Sequence, residues 1–256
     1  MVILVLFGSL WGYFAPPHDP VAQDFSKRLM PPDLINLFGT DRFGRDIFSR
    51  LLVGARPTIL VSTASTLLAC TIGIPYGVLC GGAGRLGKIL SRILDGIQAF
   101  PTLLLTLLFV TVSGSRYEII VVSIGLSFSP LVARVAEGIV TSEIGRDYVL
   151  AARAIGVSPF AILVRHILPN GASVLLVQAT SVLALTILSE AALSYLGLGP
   201  STLVPTWGRM LFDARETMEL APHTVLAPLI AISTLVISVN LLGDGLRDVL
   251  DPTLVD

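Results

Sequence analysis

The sequence predicts an all-α, polytopic integral membrane protein with about six transmembrane helices, and three observations carry that prediction. Of its 256 residues 53% are apolar and only 14% charged, where an ordinary soluble chain is roughly 25% charged. Mean hydropathy is +0.82. The apolar residues fall in runs close to the ~20 residues that a helix needs to cross a hydrocarbon core, and charge, proline and glycine gather between the runs. A net charge of -1, from 17 basic and 18 acidic residues, excludes a strongly basic nucleic-acid binder and an acidic disordered chain. Cys70 and Cys80 lie in one apolar run and predict small buried hydrophobes, with neither a disulfide framework nor a metal cluster.

Residues 1–15 are apolar throughout but rise only about 22 Å in helix, so either the bilayer thins around them or the span begins upstream. No basic segment precedes them and no small-residue cleavage site follows, which favours a span over a cleaved signal peptide. Five fuller spans follow at about 57–83, 97–114, 118–136, 172–196 and 222–243. The chain thus divides into an N-terminal span and outer loop (1–56), a transmembrane domain (57–250) and a short tail (251–256). Pro101, Pro130 and Pro228, with Gly73, Gly77 and Gly125, interrupt the spans. A packed bundle tolerates them, because neighbouring helices satisfy the freed carbonyls and small residues permit close approach.

Lys and Arg concentrate in short cytoplasmic loops. On a six-span layout one side holds eight basic residues and the other nine, six of them in the 16–56 loop. Setting aside that loop, where five aspartates interleave with the basic residues, leaves eight against three and places residues 134–170 in the cytoplasm.

Two motifs mislead. Residues 82–88 (GAGRLGK) fit a dinucleotide fingerprint and most of a P-loop, yet Ile89 stands where a magnesium-binding hydroxyl belongs, and both motifs need a preceding strand. A glycine-rich turn at the membrane edge accounts for the segment. The histidines, His18, His166 and His223, have no metal-ligand spacing, and no G-x-S-x-G elbow accompanies the serines, so no metal site or catalytic set is expected.

Residues 142–170 (SEIGRDYVLAARAIGVSPFAILVRHILPN) are longer than a connector requires, since connections run to about 4–6 residues. They parse as a knuckle of two short helices. Asp147 caps the first, over Tyr148–Ile155, and Gly156 supplies a left-handed stop. Ser158 and Pro159 then form an N-cap and first-turn proline for a second helix to about Ile167, before Pro169 turns the chain into the next span.

The string AAxxxG at Ala151, Ala152 and Gly156, with Leu168 and Pro169 after it, resembles the EAA loop of permease subunits of ATP-binding-cassette importers. Leu150 stands in place of the name-giving Glu, and His166 where Ile is usual. FGTDRFGRDIFSRLLVGARPTI (38–59) and SEAALSYLGLG (189–199) are similar to segments of the dipeptide, oligopeptide and nickel class. The three together cover most of residues 38–250.

The resemblance implies the translocation subunit of an importer of di- or oligopeptides in a bacterial or archaeal cytoplasmic membrane, with nickel or another small cargo as the alternative within the class. A self-sufficient ion-coupled transporter or channel is the alternative outside it, disfavoured because no inverted repeat and few intramembrane charges are visible. It also implies a second, homologous permease chain, two ATPase subunits that carry the ATP and Mg, and an external substrate-binding protein. This chain would bind no cofactor and catalyse nothing itself. Ala151, Ala152, Gly156, Val157, Ser158 and Pro159 would shape the ATPase-docking knuckle, with Arg146, Asp147 and Arg153 as polar contacts. The 16–56 loop would then lie outside. Within it Ile47, Phe48, Leu51 and Leu52 share one helical face, with Arg45 and Arg50 elsewhere on the surface, an arrangement that suits an interfacial helix better than direct receptor contact. Arg209, Asp213, Arg215 and Glu216 are the other receptor-contact candidates, and Trp207 is expected at the interface. Glu190 is the ionisable group inside a span, which must face protein, water or the edge; Asp95 and Glu137 read as structural groups at helix ends.

Overall fold

The computed structural model describes residues 16–199 and 204–250, so the expected span at 1–15 and the tail at 251–256 lie outside the described residues. The Asp46 carboxylate accepts the Ser49 amide at 2.8 Å and opens α1, Ile47–Gly82, a helix of 36 residues and hence about 54 Å. It begins ten residues before the expected span. Its first turns carry Ser49 and Arg50, polar but buried, so this end of the helix is solvated by protein rather than by lipid and escapes a hydropathy ruler.

The next expected span is broken. α2 (Gly84–Gln98) and α3 (Thr102–Ser113) meet at 81°, because Pro101 cannot continue α2 and pre-sets the entry to α3. α4 (Tyr117–Glu143) is continuous despite Pro130. The carbonyl that the proline frees, Leu126 O, accepts the Ser129 hydroxyl at 2.9 Å instead. The knuckle comprises α5 (Asp147–Ala154) and α6 (Pro159–Ile162), extended by a π-turn at Leu163–Ile167 and the short helix Leu168–Asn170. Then come α7 (Ala172–Tyr195), α8 (Trp207–Ala214) and α9 (His223–Leu250). Among the described residues α1, α4, α7 and α9 are long and apolar enough to cross a membrane, and α2 with α3 makes a fifth, broken crossing. No strand occurs among them.

α1 and α4 form the tightest pair. Gly73, Gly77 and Gly81 repeat every four residues and so share one face of α1; a Cβ on Gly77 would lie 2.1 Å from the Ala133 carbonyl oxygen and one on Gly73 2.5 Å from that of Ser129. This is the small-residue stripe by which helices approach closely in lipid, where dispersion and not the hydrophobic effect holds them. A second cluster joins Ile47, Ile187, Trp207 and Leu235 across α1, α7, α8 and α9. A third holds the knuckle against the end of α4.

Candidate functional site: the knuckle and the ionic cluster

The knuckle is built for rigidity. α5 closes in a full Schellman turn: Val157 N–H donates to Ala152 O and Gly156 N–H to Arg153 O, both at 3.0 Å, with Gly156 at φ +83°. Open space surrounds the position where a Cβ would sit on Gly156, so glycine is needed there for its backbone alone. Ser158 Oγ then accepts the Ala161 amide at 3.3 Å, with Pro159 in the first turn of α6. Val149, Ala152, Ile162 and Ile167 are buried against Ile139 and Val140 of α4. Ala152 is therefore an internal packing residue, whereas Ala151, Arg153, Ser158 and Pro159 are exposed.

Two details differ from expectation. Arg146, not Asp147, occupies the N-cap, and no side chain caps α5. Pro169 does not end the second helix but widens it: the proline has no N–H for the carbonyl four residues back, and Leu168 N–H donates to Leu163 O, five back.

Sequence reasoning missed Glu143 and the apolar tip. Glu143 is nearly buried, receives the Tyr148 hydroxyl at 2.7 Å and pairs with Arg146 at 3.1 Å, tying the first turn of α5 to the last of α4. Burial, and then the bond to Glu143, push the Tyr148 phenol up from its ordinary range. The i,i+3 spacing of Glu143 and Arg146 was the available signal. The tip consists of Leu150, Ile155 and Phe160, which are 50%, 82% and 75% exposed. Three large apolar side chains are thus left exposed on the knuckle.

At the opposite end of the bundle the polar candidates converge. Asp213 of α8 has four guanidinium groups within ion-pair reach: Arg45 at 2.8 Å, Arg209 at 3.4 Å, Arg42 at 3.7 Å and Arg50 at 3.9 Å. Arg45 also pairs with Asp41 at 2.6 Å and Arg42 with Glu216 at 2.7 Å, while Arg50 donates to Pro20 O at 2.8 Å. Arg45, Arg50 and Asp213, expected on the surface, are buried; the cluster welds the N-terminal loop to α1 and α8. Arg215 and Glu216 remain exposed. Trp207, expected at the lipid interface, is also buried, its indole N–H donating to Leu51 O at 2.9 Å. Glu190 is buried too, accepting the Ser194 hydroxyl at 2.8 Å. Asp95 and Glu137, expected at helix ends, both pair with Arg134 of α4.

Comparison with known proteins agrees with this architecture. Residues 73–256 match the family model described as binding-protein-dependent transport system inner membrane component. A probable peptide ABC transporter permease of Sinorhizobium fredii is 38% identical over 234 residues, covering 91% of this chain and 80% of that protein. A glutathione transport system permease of Pectobacterium atrosepticum is 37% identical, covering 99% of this chain and 85% of the relative. A di/tripeptide transport system permease of Pseudomonas aeruginosa is 37% identical, with 99% and 86% covered. In structure the chain resembles the inward-facing MetNI methionine ABC transporter, with a TM-score of 0.67 at 21% identity over 79% of this chain and 96% of that one, a likeness of fold. A knuckle between spans, a bundle held by small residues, and a family match over the region containing both make the chain a member of the binding-protein-dependent transport system inner membrane component family, a multi-pass permease subunit of an ABC transport system.

Proposed function

We propose that this permease is the translocation subunit of an ATP-driven importer of di- and oligopeptides, and that its knuckle seats the apolar tip in a groove of a cytoplasmic ATPase. The observation that carries the proposal is the exposed set Leu150, Ile155 and Phe160, held rigidly by the Schellman turn and the Glu143 tie. Ala151, Ser158 and Pro159 shape the surface between these anchors, and Asp147, Arg153 and Arg146 rim it. Ala152, Gly156 and Val157 act from within by fixing its form. Closure of two ATPases then pulls α4 and α7 through the knuckle without slack. On this account ATP and Mg belong to the ATPases, the knuckle end is cytoplasmic, and a homologous permease chain completes the pathway.

The opposite end receives cargo from an external binding protein. With Arg45, Arg50 and Asp213 consumed inside the ionic cluster, Arg215 and Glu216 are the accessible polar contacts, and Arg209 is partly so. Peptide cargo is preferred to nickel because relatives matched over nearly the whole chain are named for peptides and glutathione. The test is uptake of labelled dialanine into proteoliposomes holding both permeases, the ATPases and the binding protein. ATP-dependent uptake is expected, and Phe160→Asp is expected to lower it about 30-fold or more, the cost of losing an interface anchor worth at least ~2 kcal/mol. Uptake without ATP, or native uptake by the variant, contradicts the proposal.

A further inference from the structure

The glycine-rich segment 82–88, GAGRLGK, shapes the junction of α1 and α2. Gly84, at φ +57°, turns the chain, and Gly87 lets α2 fold back on the helix it has just left, since a Cβ there would lie 2.2 Å from the Cys80 carbonyl oxygen. One side of α2 is then fastened to the bundle. Gly87 and Leu94 are buried, the Leu90 carbonyl accepts the Tyr76 hydroxyl at 3.0 Å, and Ser91 donates to Glu137 of α4. The junction lies at the knuckle end of the bundle: a Cβ on Gly81 would meet Val140 at 2.7 Å and one on Gly82 would meet Leu163 at 3.5 Å. From there α2 climbs inward until Gln98 donates to Pro130 O at 2.8 Å, midway along α4.

The other side of α2 is open and carries two strips at helical spacing. Arg85, Lys88 and Arg92 form one; Leu86, Ile89, Ile93 and Ile97 form the other, which continues toward mid-span. All of these side chains are exposed. The charges do not cancel. Arg92 pairs with Asp95 at 3.6 Å, and Arg134 pairs with Asp95 and Glu137, one cation for each carboxylate. Arg85 and Lys88 have no acidic partner among the described residues. An uncompensated pair of cations at the bundle's edge, with an apolar strip leading inward from it, has the polarity of a phospholipid whose headgroup is anionic. Long basic side chains also reach readily for a headgroup while their stems cover apolar surface.

We infer that the open face of α2 binds an anionic phospholipid of the cytoplasmic leaflet, its phosphate held by Arg85 and Lys88 and an acyl chain lying along Leu86, Ile89, Ile93 and Ile97. The inference rests on the proposed reading that puts the knuckle end in the cytoplasm, where the leaflet surface is negative. An ATPase seated on the neighbouring knuckle could offer acidic groups to the same cations, but a cytoplasmic protein does not cover a strip that runs to mid-span.

The test uses the complete complex of both permeases and the ATPases in nanodiscs, probed with phosphatidylglycerol that carries a photo-activatable group in one acyl chain. Adducts within residues 86–97 should form about tenfold or more in excess of those from phosphatidylcholine with the same chain. Arg85→Gln with Lys88→Gln should weaken that labelling about 25-fold, each basic residue at an anionic surface contributing a factor of about five, while Arg85→Lys with Lys88→Arg, which keeps both charges, should stay within about threefold. Copurifying ATPase confirms that each variant assembles. Equal labelling by the two lipids, or native labelling in the Gln pair, overturns the site; loss of the ATPase from the Gln pair with lipid labelling intact assigns the cations to the ATPase and overturns it too. Arg85→Cys, labelled by a membrane-impermeant maleimide in sealed vesicles of known orientation, separates the two levels. Labelling from the cytoplasmic side without headgroup selectivity removes the lipid site and leaves the importer reading standing, whereas labelling only from the outer side removes the orientation on which both rest.

Discussion

Replacing Asp213 by Asn changes one charge and almost no volume, so its cost isolates electrostatics. In the native cluster Arg42, Arg45, Arg50 and Arg209 face Asp41, Asp213 and the exposed Glu216, and Asp213 is the carboxylate all four share. In its absence Arg45 keeps Asp41 at 2.6 Å and Arg42 keeps Glu216 at 2.7 Å. Arg50, only 2% exposed in its side chain, keeps Asp41 at 3.9 Å and the Pro20 carbonyl. One buried guanidinium is left without adequate compensation, a defect that costs about 3–5 kcal/mol. For a chain of this size each kcal/mol lowers the melting temperature by about 2–4 °C, so Asp213→Asn should melt roughly 6–20 °C below the native protein in a detergent thermal-shift assay read by size-exclusion fluorescence. Arg45→Met made in the Asp213→Asn background should then cost at least about 1 kcal/mol less than in the native protein, because it breaks only the pair with Asp41 and lowers an excess of positive charge that Asp213 no longer offsets. A melt within about 2 °C of native, or strictly additive effects, would refute the claim that the cluster is a coupled buried network.

Gly77→Ala should destabilise by about 1–3 kcal/mol through overpacking, while Gly96→Ala, where a Cβ meets nothing within 4 Å, should be neutral or stabilising; equal melts for the two would sink the glycine-stripe account of α1 and α4. Gly156→Ala places a Cβ at φ +83° and should cost about 1–2 kcal/mol of local strain, read as faster amide exchange across residues 152–158, with Gly156→Asn milder. Glu190→Gln preserves size and the acceptor for Ser194 and should assemble at native yield, whereas Glu190→Lys should fail to accumulate in the membrane, since it would bury an ammonium in place of that acceptor; native yields for both would place Glu190 in water.

The knuckle was the most legible part of the sequence, because its chemistry is local: Gly156, Ser158 and Pro159 each dictate a backbone geometry, and each adopts it. The long spans were legible by hydropathy, but their ends were not. α1 starts at Ile47 because Arg50 is neutralised by Asp41 nearby in the chain and by Asp213 from a distant part of it, and the second of these pairings is one that no window along the sequence can see. The 81° break was visible as Pro101 but not as an angle, since a proline inside an apolar run is equally compatible with a mild kink, as Pro130 shows. The four-residue spacing of Gly73, Gly77 and Gly81 was present and informative, yet glycines taken singly do not disclose which helix they face. Leu150, Ile155 and Phe160 stayed hidden for a simpler reason: in a chain this apolar, three more apolar residues carry no signal until their exposure is known.

The central claim is that the knuckle tip is the contact through which ATP hydrolysis reaches this permease. A photo-activatable amino acid placed at Ile155 or Phe160, and as a control at Leu220, exposed on the opposite end of the chain, tests it in native membranes. The account predicts an adduct with the ATP-binding subunit from both knuckle positions and none from Leu220; an ATPase adduct from Leu220, or no ATPase adduct from either knuckle position, would contradict it.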